Sequence, residues 1–204
     1  MTSLANRRSA ILLFSLPDCL HSHRTRLVIK EKEISAELHE IDINDISEEI
    51  KSISPYDDFP TLVDRELVLQ NSRVIIEYLD ERFPHPPLLP VDPVARAKFR
   101  LALDKIEHQW YPEFNKSYNN GVIEDIFVEK IKSYFLEIVP LISDNYFMSE
   151  AFGLVDCSLA PLLWRIQCLG IEMDKNKEII KRYSDRIFNR ESFQASLSET
   201  ERDI

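Results

Sequence analysis

Few side chains in this sequence stand where they could do chemistry, and Cys19 is the first of them. It lies just ahead of "LHSHRTRLVIKEKEI", where Leu20, Leu27, Val28 and Ile34 recur at near-helical spacing. A thiol at a helix start feels the positive end of the backbone dipole, which favours the thiolate. His21, His23, Arg24 and Arg26 are close and add positive potential. Cys19 is thus either a nucleophile or a small, half-buried residue that fills a helix start. The histidines give no metal site: His21 and His23 are two apart, off one helical face, with no carboxylate at ligand spacing. His39, beside Glu37 and Glu40, reads as solvated surface, and His108, near Trp110, as packing or surface. Cys157 and Cys168 complete an odd set of three with no CxxC, which fits a reduced chain without structural disulfides.

Two proline features come next. Phe59-Pro60-Thr61 leads into a strand, where proline has no N–H to donate. Either a cis Phe59–Pro60 bond turns the chain sharply, or an ordinary trans proline opens the strand. "FPHPPLLP" (83–90) holds four prolines in eight positions, with His85 between two of them. Prolines favour an extended backbone and keep their apolar rings exposed. The stretch is therefore either a spacer that stops a helix at Phe83, or a preordered binding surface to which His85 adds a donor and an acceptor.

The elements that must position these residues follow from periodicity. "SAILLFS" (9–15) is a continuous apolar run and predicts a buried strand. A helix over about three turns follows, then "AELHEIDI" (36–43), an alternating strand; β-α-β usually means parallel strands. "ISEEIKSIS" (46–54) predicts a short helix. Thr61–Val63 and Leu67–Gln70 are two strands joined by a turn too short for anything but antiparallel pairing. "SRVIIEYLDERF" (72–83) is amphipathic, with Ser72 as N-cap and Val74, Ile75, Tyr78, Leu79 and Phe83 on its apolar stripe. From Val94 onward four helical blocks and no strand are expected. The division is an α/β thioredoxin-like domain, 1–86, and an all-helical domain, 87–204.

Composition excludes several functions. Gly121, Gly153 and Gly170 are the only glycines among 204 residues, so no Gly-rich loop can cradle a nucleotide. The net charge is −10; residues 1–90 carry 10 basic and 16 acidic side chains, and 91–204 carry 15 and 19. An acidic surface argues against direct nucleic-acid binding, which needs clustered Lys and Arg. "MTSLANRRSA" lacks the apolar core of a signal peptide and no run reaches membrane-span length, so a cytoplasmic location is expected.

The β-α-β-α-β-β-α order with Pro60, the proline stretch and the helical half together resemble the glutathione transferase fold. "FGLVDCSLAPLL" resembles the transferase capping box, with Asp156 present but Gly153 where a Ser or Thr would start the helix. In thiol-type transferases a cysteine occupies the turn of Cys19, followed there by Pro-Phe but here by Leu20-His21. The resemblance gives a glutathione-dependent enzyme, using Cys19 as thiol or Ser15 as hydroxyl, as one alternative. Glutathione binding also implies an acidic residue before Ser72, but that place holds Asn71, which supplies no charge for an ammonium.

A second resemblance is more specific. "VDRELVLQNSRVIIEYLDERFPHPPLLPVDPVARAKFRL", "LVDCSLAPLLWRIQCLGIE" and "ESFQASLSETER" closely resemble the stringent starvation protein A family. That family implies a non-catalytic, cofactor-free transferase-like dimer that binds RNA polymerase holoenzyme and regulates transcription under starvation or stress. It implies Pro84, His85 and Pro86 as the partner-binding surface, and Cys19, Pro60, Asn71 and Ser72 as vestiges of a glutathione site. Homodimers and heterodimers with a paralogue are both expected, and Arg65 is a candidate for an anionic ligand between subunits.

Overall fold

A computed structural model describes residues 10–56, 58–119, 122–142, 145–172 and 176–204. Strand β1 (Ile11–Ser15) is buried at every position, as a central strand covered on both faces must be. Its neighbours are β2 (Ala36–Glu40), parallel, and β3 (Thr61–Asp64), antiparallel; β4 (Leu67–Leu69) pairs antiparallel with β3. The sheet order is β2-β1-β3-β4. Helices α1 (Leu20–Glu31), α2 (Glu48–Ile53) and α3 (Ser72–Arg82) connect these strands. Strand β2 stops before the predicted Ile43, because the Asp42 carboxylate accepts the Asn44 N–H and turns the chain. Leu12, Phe14 and Ile41 form a core cluster against which Ile46, Ile50 and Ile53 pack. Along α3, Ile75, Ile76 and Leu79 are buried while Val74 is exposed, so the apolar stripe is rotated from its predicted position.

Helix α1 departs most from a simple amphipathic pattern. Ser22, His23, Arg24, Thr25 and Arg26 are all buried. Arg26 donates to Ser15 Oγ (2.6 Å), Leu16 O (3.0 Å), Ser196 O (2.8 Å) and Glu201 Oε2 (2.5 Å). His23 Nδ1 lies 3.3 Å from the other oxygen of Glu201. Ser198 caps the last helical turn and donates to Pro17 O at 2.8 Å. These partners explain why the chain divides into one unit ending at Pro86 that also includes Ala195–Asp203, and a second spanning Pro87–Gln194. The last nine residues of the first unit come from the stretch that the helical pattern assigns to the second domain.

In the second unit α4 (Pro93–Lys105) starts with Asp92 as N-cap and Pro93 in the first turn. It widens into a π turn at Ile106–Trp110, just before Pro112 removes a backbone donor, and continues as α5 (Tyr111–Ser117). Two-residue strands β5 (Tyr118–Asn119) and β6 (Val122–Ile123) pair antiparallel where only helix was expected. The sequence carries Asn120-Gly121 between them, a pair that favours hairpin turns. Then come α6 (Asp125–Ile138), a 3-10 turn (Val139–Leu141), α7 (Leu154–Cys168), α8 (Lys177–Phe188) and α9 (Glu191–Ser196); α10 (Glu199–Arg202) returns to the first unit. Gly170, at φ 67, ends α7 in the left-handed region. Among the described residues no helix is long and apolar enough to cross a membrane.

Helix α7 is held from beneath by Asp156. This fully buried carboxylate accepts from Gly153 N–H (2.8 Å), Phe147 N–H (2.9 Å) and Tyr183 O–H (2.5 Å). Glycine supplies no side-chain acceptor, so only the Asp156 half of the capping box is present, and donors from a loop and from α8 hold that carboxylate in addition. Burial raises the Asp156 carboxyl to about 6, although the three donors pull the other way. Burial and the Asp156 charge raise the Tyr183 hydroxyl well above its ordinary value, so it remains a donor. Because the folded state holds the Asp156 proton more tightly than the unfolded chain, the site stabilises the fold at low pH. That contribution is lost as pH rises through about 6. Urea unfolding should therefore show the stability of the wild type, relative to Asp156→Asn, falling by about 2 kcal/mol between pH 4 and pH 7. A difference that stays flat over this range would mean that the carboxyl ionises at its ordinary value.

Candidate functional site

Cys19 is the N-cap of α1, with extended backbone angles, and its carbonyl accepts the His23 N–H at 2.8 Å. Its side chain makes no cap bond and is half-buried. Ser15 is buried with its hydroxyl taken by Arg26. Of the two hydroxyl or thiol candidates, Ser15 is therefore turned into the α1 polar core and Cys19 stands at the helix start. The Phe59–Pro60 bond is cis, which resolves the two alternatives at that turn; Pro60 is buried and Thr61 donates to Asp58 O at 2.5 Å.

Asn71 and Ser72 exchange their expected roles. Asn71, not Ser72, is the N-cap of α3: its Oδ1 accepts from Arg73 N–H (2.9 Å) and Val74 N–H (3.2 Å). The amide oxygen satisfies two orphan donors of the first turn, which is what an Asn N-cap does best. Ser72 is already helical and buried. Its hydroxyl takes a 2.5 Å bond from Arg24 Nη2 and lies 3.0 Å from His21 Nδ1. The two positions that a glutamyl end would contact are thus engaged within the protein, one by its own helix and one by α1. Sequence spacing gives no hint of the Arg24–Ser72 contact, which joins residues 48 apart in the chain.

The proline stretch divides into two parts. Pro84, His85, Pro86 and Pro87 are exposed, whereas Leu88 and Leu89 are buried. The His85–Pro86 bond is cis, so the run is not the continuous extended segment that its composition predicts. Within the first unit the Pro86 carbonyl accepts from Lys32 Nζ at 2.6 Å, and the same ammonium pairs with Asp80 Oδ1 on α3 at 2.7 Å. Within the second unit Leu88 O accepts the Leu154 N–H at 2.9 Å. A Cβ at Gly153 would sit 2.9 Å from Leu88 O and 3.2 Å from the Phe99 ring. Close approach of the proline stretch to α7, and not a special backbone angle, is what requires glycine there.

Sequence reasoning missed Lys32 and Asp80. Lys32 falls within "IKEKEI", which reads as a solvated charged run, yet its side chain is fully buried. Arg65 stands exposed in the β3–β4 turn with φ 58. Beside it, Asp64 accepts from Tyr78 O–H at 2.7 Å, and burial, then this carboxylate, raises the Tyr78 hydroxyl. Among the described residues no group of three His, Cys, Asp or Glu side chains is placed to hold a metal ion.

Comparison with known proteins agrees with this architecture. Residues 13–87 match the glutathione S-transferase N-terminal domain family and residues 110–191 the C-terminal domain family. The fold is similar to that of glutathione transferase Omega 3C from Trametes versicolor, with a TM-score of 0.82 at 22% identity over 96% of this chain and 88% of that one. Curated relatives are nearer in sequence. The stringent starvation protein A homolog of Pasteurella multocida is 47% identical over 97% of this chain and 94% of its own length. That of Coxiella burnetii is 44% identical over 97% of this chain and 96% of its own. With this identity sustained across nearly its full length, and with both transferase domains matched, the chain belongs to the stringent starvation protein A family.

Proposed function

We propose that this protein regulates transcription in the starvation or stress response by docking on RNA polymerase holoenzyme. It acts as a non-catalytic dimer and uses Pro84, His85 and Pro86 as its contact surface. The observation that carries this reading is a run of exposed proline and histidine side chains whose backbone is bonded from below to a buried ammonium. Rings held in place before a partner arrives lose little entropy on binding. RNA polymerase is the partner that the resemblance to the stringent starvation protein A family implies. Exchange of these three residues for alanine should lower capture of purified holoenzyme by about tenfold or more, as loss of a central contact does. Thermal unfolding verifies that the fold is kept; a folded triple variant that captures polymerase like the wild type would sink the assignment.

Loss of glutathione chemistry belongs to the same proposal. A ligand's glutamyl end would have to displace Arg24 from Ser72 and would find the Asn71 amide committed to the α3 cap. The wild type should pass through immobilised glutathione unretained and leave model electrophiles and disulfides unreacted. Retention or turnover that Cys19→Ser abolishes would restore the enzymatic alternative.

Dimerisation is supported by exposed apolar side chains in each unit: Leu67 and Val68 on β4 and Val74 on α3 in the first, and, separately, Val94 and Leu101 on α4 in the second. Exposed apolar patches mark association surfaces. Sedimentation equilibrium should give twice the chain mass for a homodimer. A lone chain that doubles only when a paralogue is co-expressed marks a heterodimer, and a monomer in both cases removes the dimer from the proposal. Arg65, exposed beside β4, remains the candidate for a small anion between subunits, and Arg65→Ala should abolish any such binding seen by calorimetry.

A further inference from the structure

The exposed residues Pro84–Pro87 have an unusual anchoring problem. Three of the four are prolines, so among them His85 alone carries a backbone N–H. Such a segment cannot be fixed through its own donors, and a tether must come from a donor that reaches one of its carbonyls. Lys32 provides that donor. It caps the C-terminal end of α1, its side chain is fully buried, and its ammonium meets Pro86 O at 2.6 Å and Asp80 Oδ1 at 2.7 Å. A buried ammonium is tolerated only when its charge is matched and its protons are accepted. Asp80 supplies the charge, and the Pro86 carbonyl supplies an acceptor.

We propose that Lys32, held by Asp80, is a positioning residue that fixes the Pro84-His85-Pro86 surface in one conformation, so that partner affinity depends on this buried tether as well as on the exposed rings. The inference rests on the docking role proposed above. Apparent affinity scales with the fraction of molecules in the competent conformer, so releasing the tether weakens binding without removing a single contacting atom.

Two variants separate positioning from stability. Lys32→Met with Asp80→Leu replaces the ion pair by apolar groups, an exchange that often leaves stability near wild type. Asp80→Asn keeps the ammonium and its bond to Pro86 but removes the counter-charge. In the double variant the order parameter of the His85 amide, measured by NMR relaxation, should fall from the rigid range of about 0.85 to below about 0.6, and holoenzyme affinity should fall by about tenfold. Asp80→Asn should lower the unfolding midpoint while the His85 signals and the affinity per folded molecule stay near wild type. A folded double variant whose His85 amide stays as ordered as in the wild type overturns the tether. One whose His85 loosens while affinity is unchanged overturns its role in binding. The triple alanine variant tests the docking surface separately: if it binds normally, that surface is wrong, and the His85 order parameter still decides whether Lys32 holds the segment.

Discussion

A charge taken out of water must be matched, and helix α1 takes more than one out. Arg24, Arg26, His23 and Lys32 lie on or at the end of this helix and are all buried. Burying an unmatched ion costs several kcal/mol, enough to dominate the choices the chain makes around it. The consequences spread through the first unit. Arg26 and His23 require Glu201, which is why nine residues from the far end of the chain pack with the first unit. Arg24 takes the Ser72 hydroxyl, and Lys32 takes Asp80 together with the Pro86 carbonyl. The C-terminal segment, the α3 start and the proline run are thus all tied to one helix by polar bonds.

The same network bears on what has become of the transferase frame. The sheet order, the cis Pro60 turn and the helix start at Cys19 are kept, since they belong to folding. At Asn71 and Ser72, which the transferase resemblance implies as ligand positions, the chain makes contacts of its own. Asn71 caps α3 through its amide oxygen and brings no negative charge to that position. An arginine on a buried serine leaves that hydroxyl fully engaged. On the proposed function, the fold keeps its architecture while these two positions serve as interior structure.

Much of this was legible in the sequence, and the exceptions share a cause. Strands β1 to β4, helices α1 to α3 and the long C-terminal helices follow from apolar periodicity, because burial of one face is a local, repeating signal. What periodicity cannot carry is a partner distant in the chain. "IKEKEI" looks like solvent-facing charge because Lys32 meets Asp80 48 residues later. "ESFQASLSETER" falls to the helical domain by its pattern, because nothing local shows that Glu201 meets Arg26 175 residues earlier. The shift of the α3 cap from Ser72 to Asn71 is a one-residue displacement between two good caps, and only the Arg24 contact decides it. The short β5–β6 pair was signalled by Asn120-Gly121 but overshadowed by the helical blocks around it.

Three side chains are too few to make a stable interface by themselves, since specific interfaces bury roughly 800 Å² on each partner. On the proposed function, Pro84, His85 and Pro86 are therefore the centre of a wider contact, and their neighbours set its rim. Glu81, Arg82 and Pro87 are exposed beside them, on a chain with a net charge of −10. A small, apolar, tethered centre surrounded by an acidic molecule suits a partner face that is basic around a shallow apolar recess. Long-range attraction between such faces raises the rate of encounter and weakens with salt, whereas the proline rings act on how long the complex lasts and the buried tether on the fraction of molecules able to dock. Charge and tether thus govern different steps of one association, which is why a chain so acidic overall can still rely on three uncharged or titratable residues for its specificity.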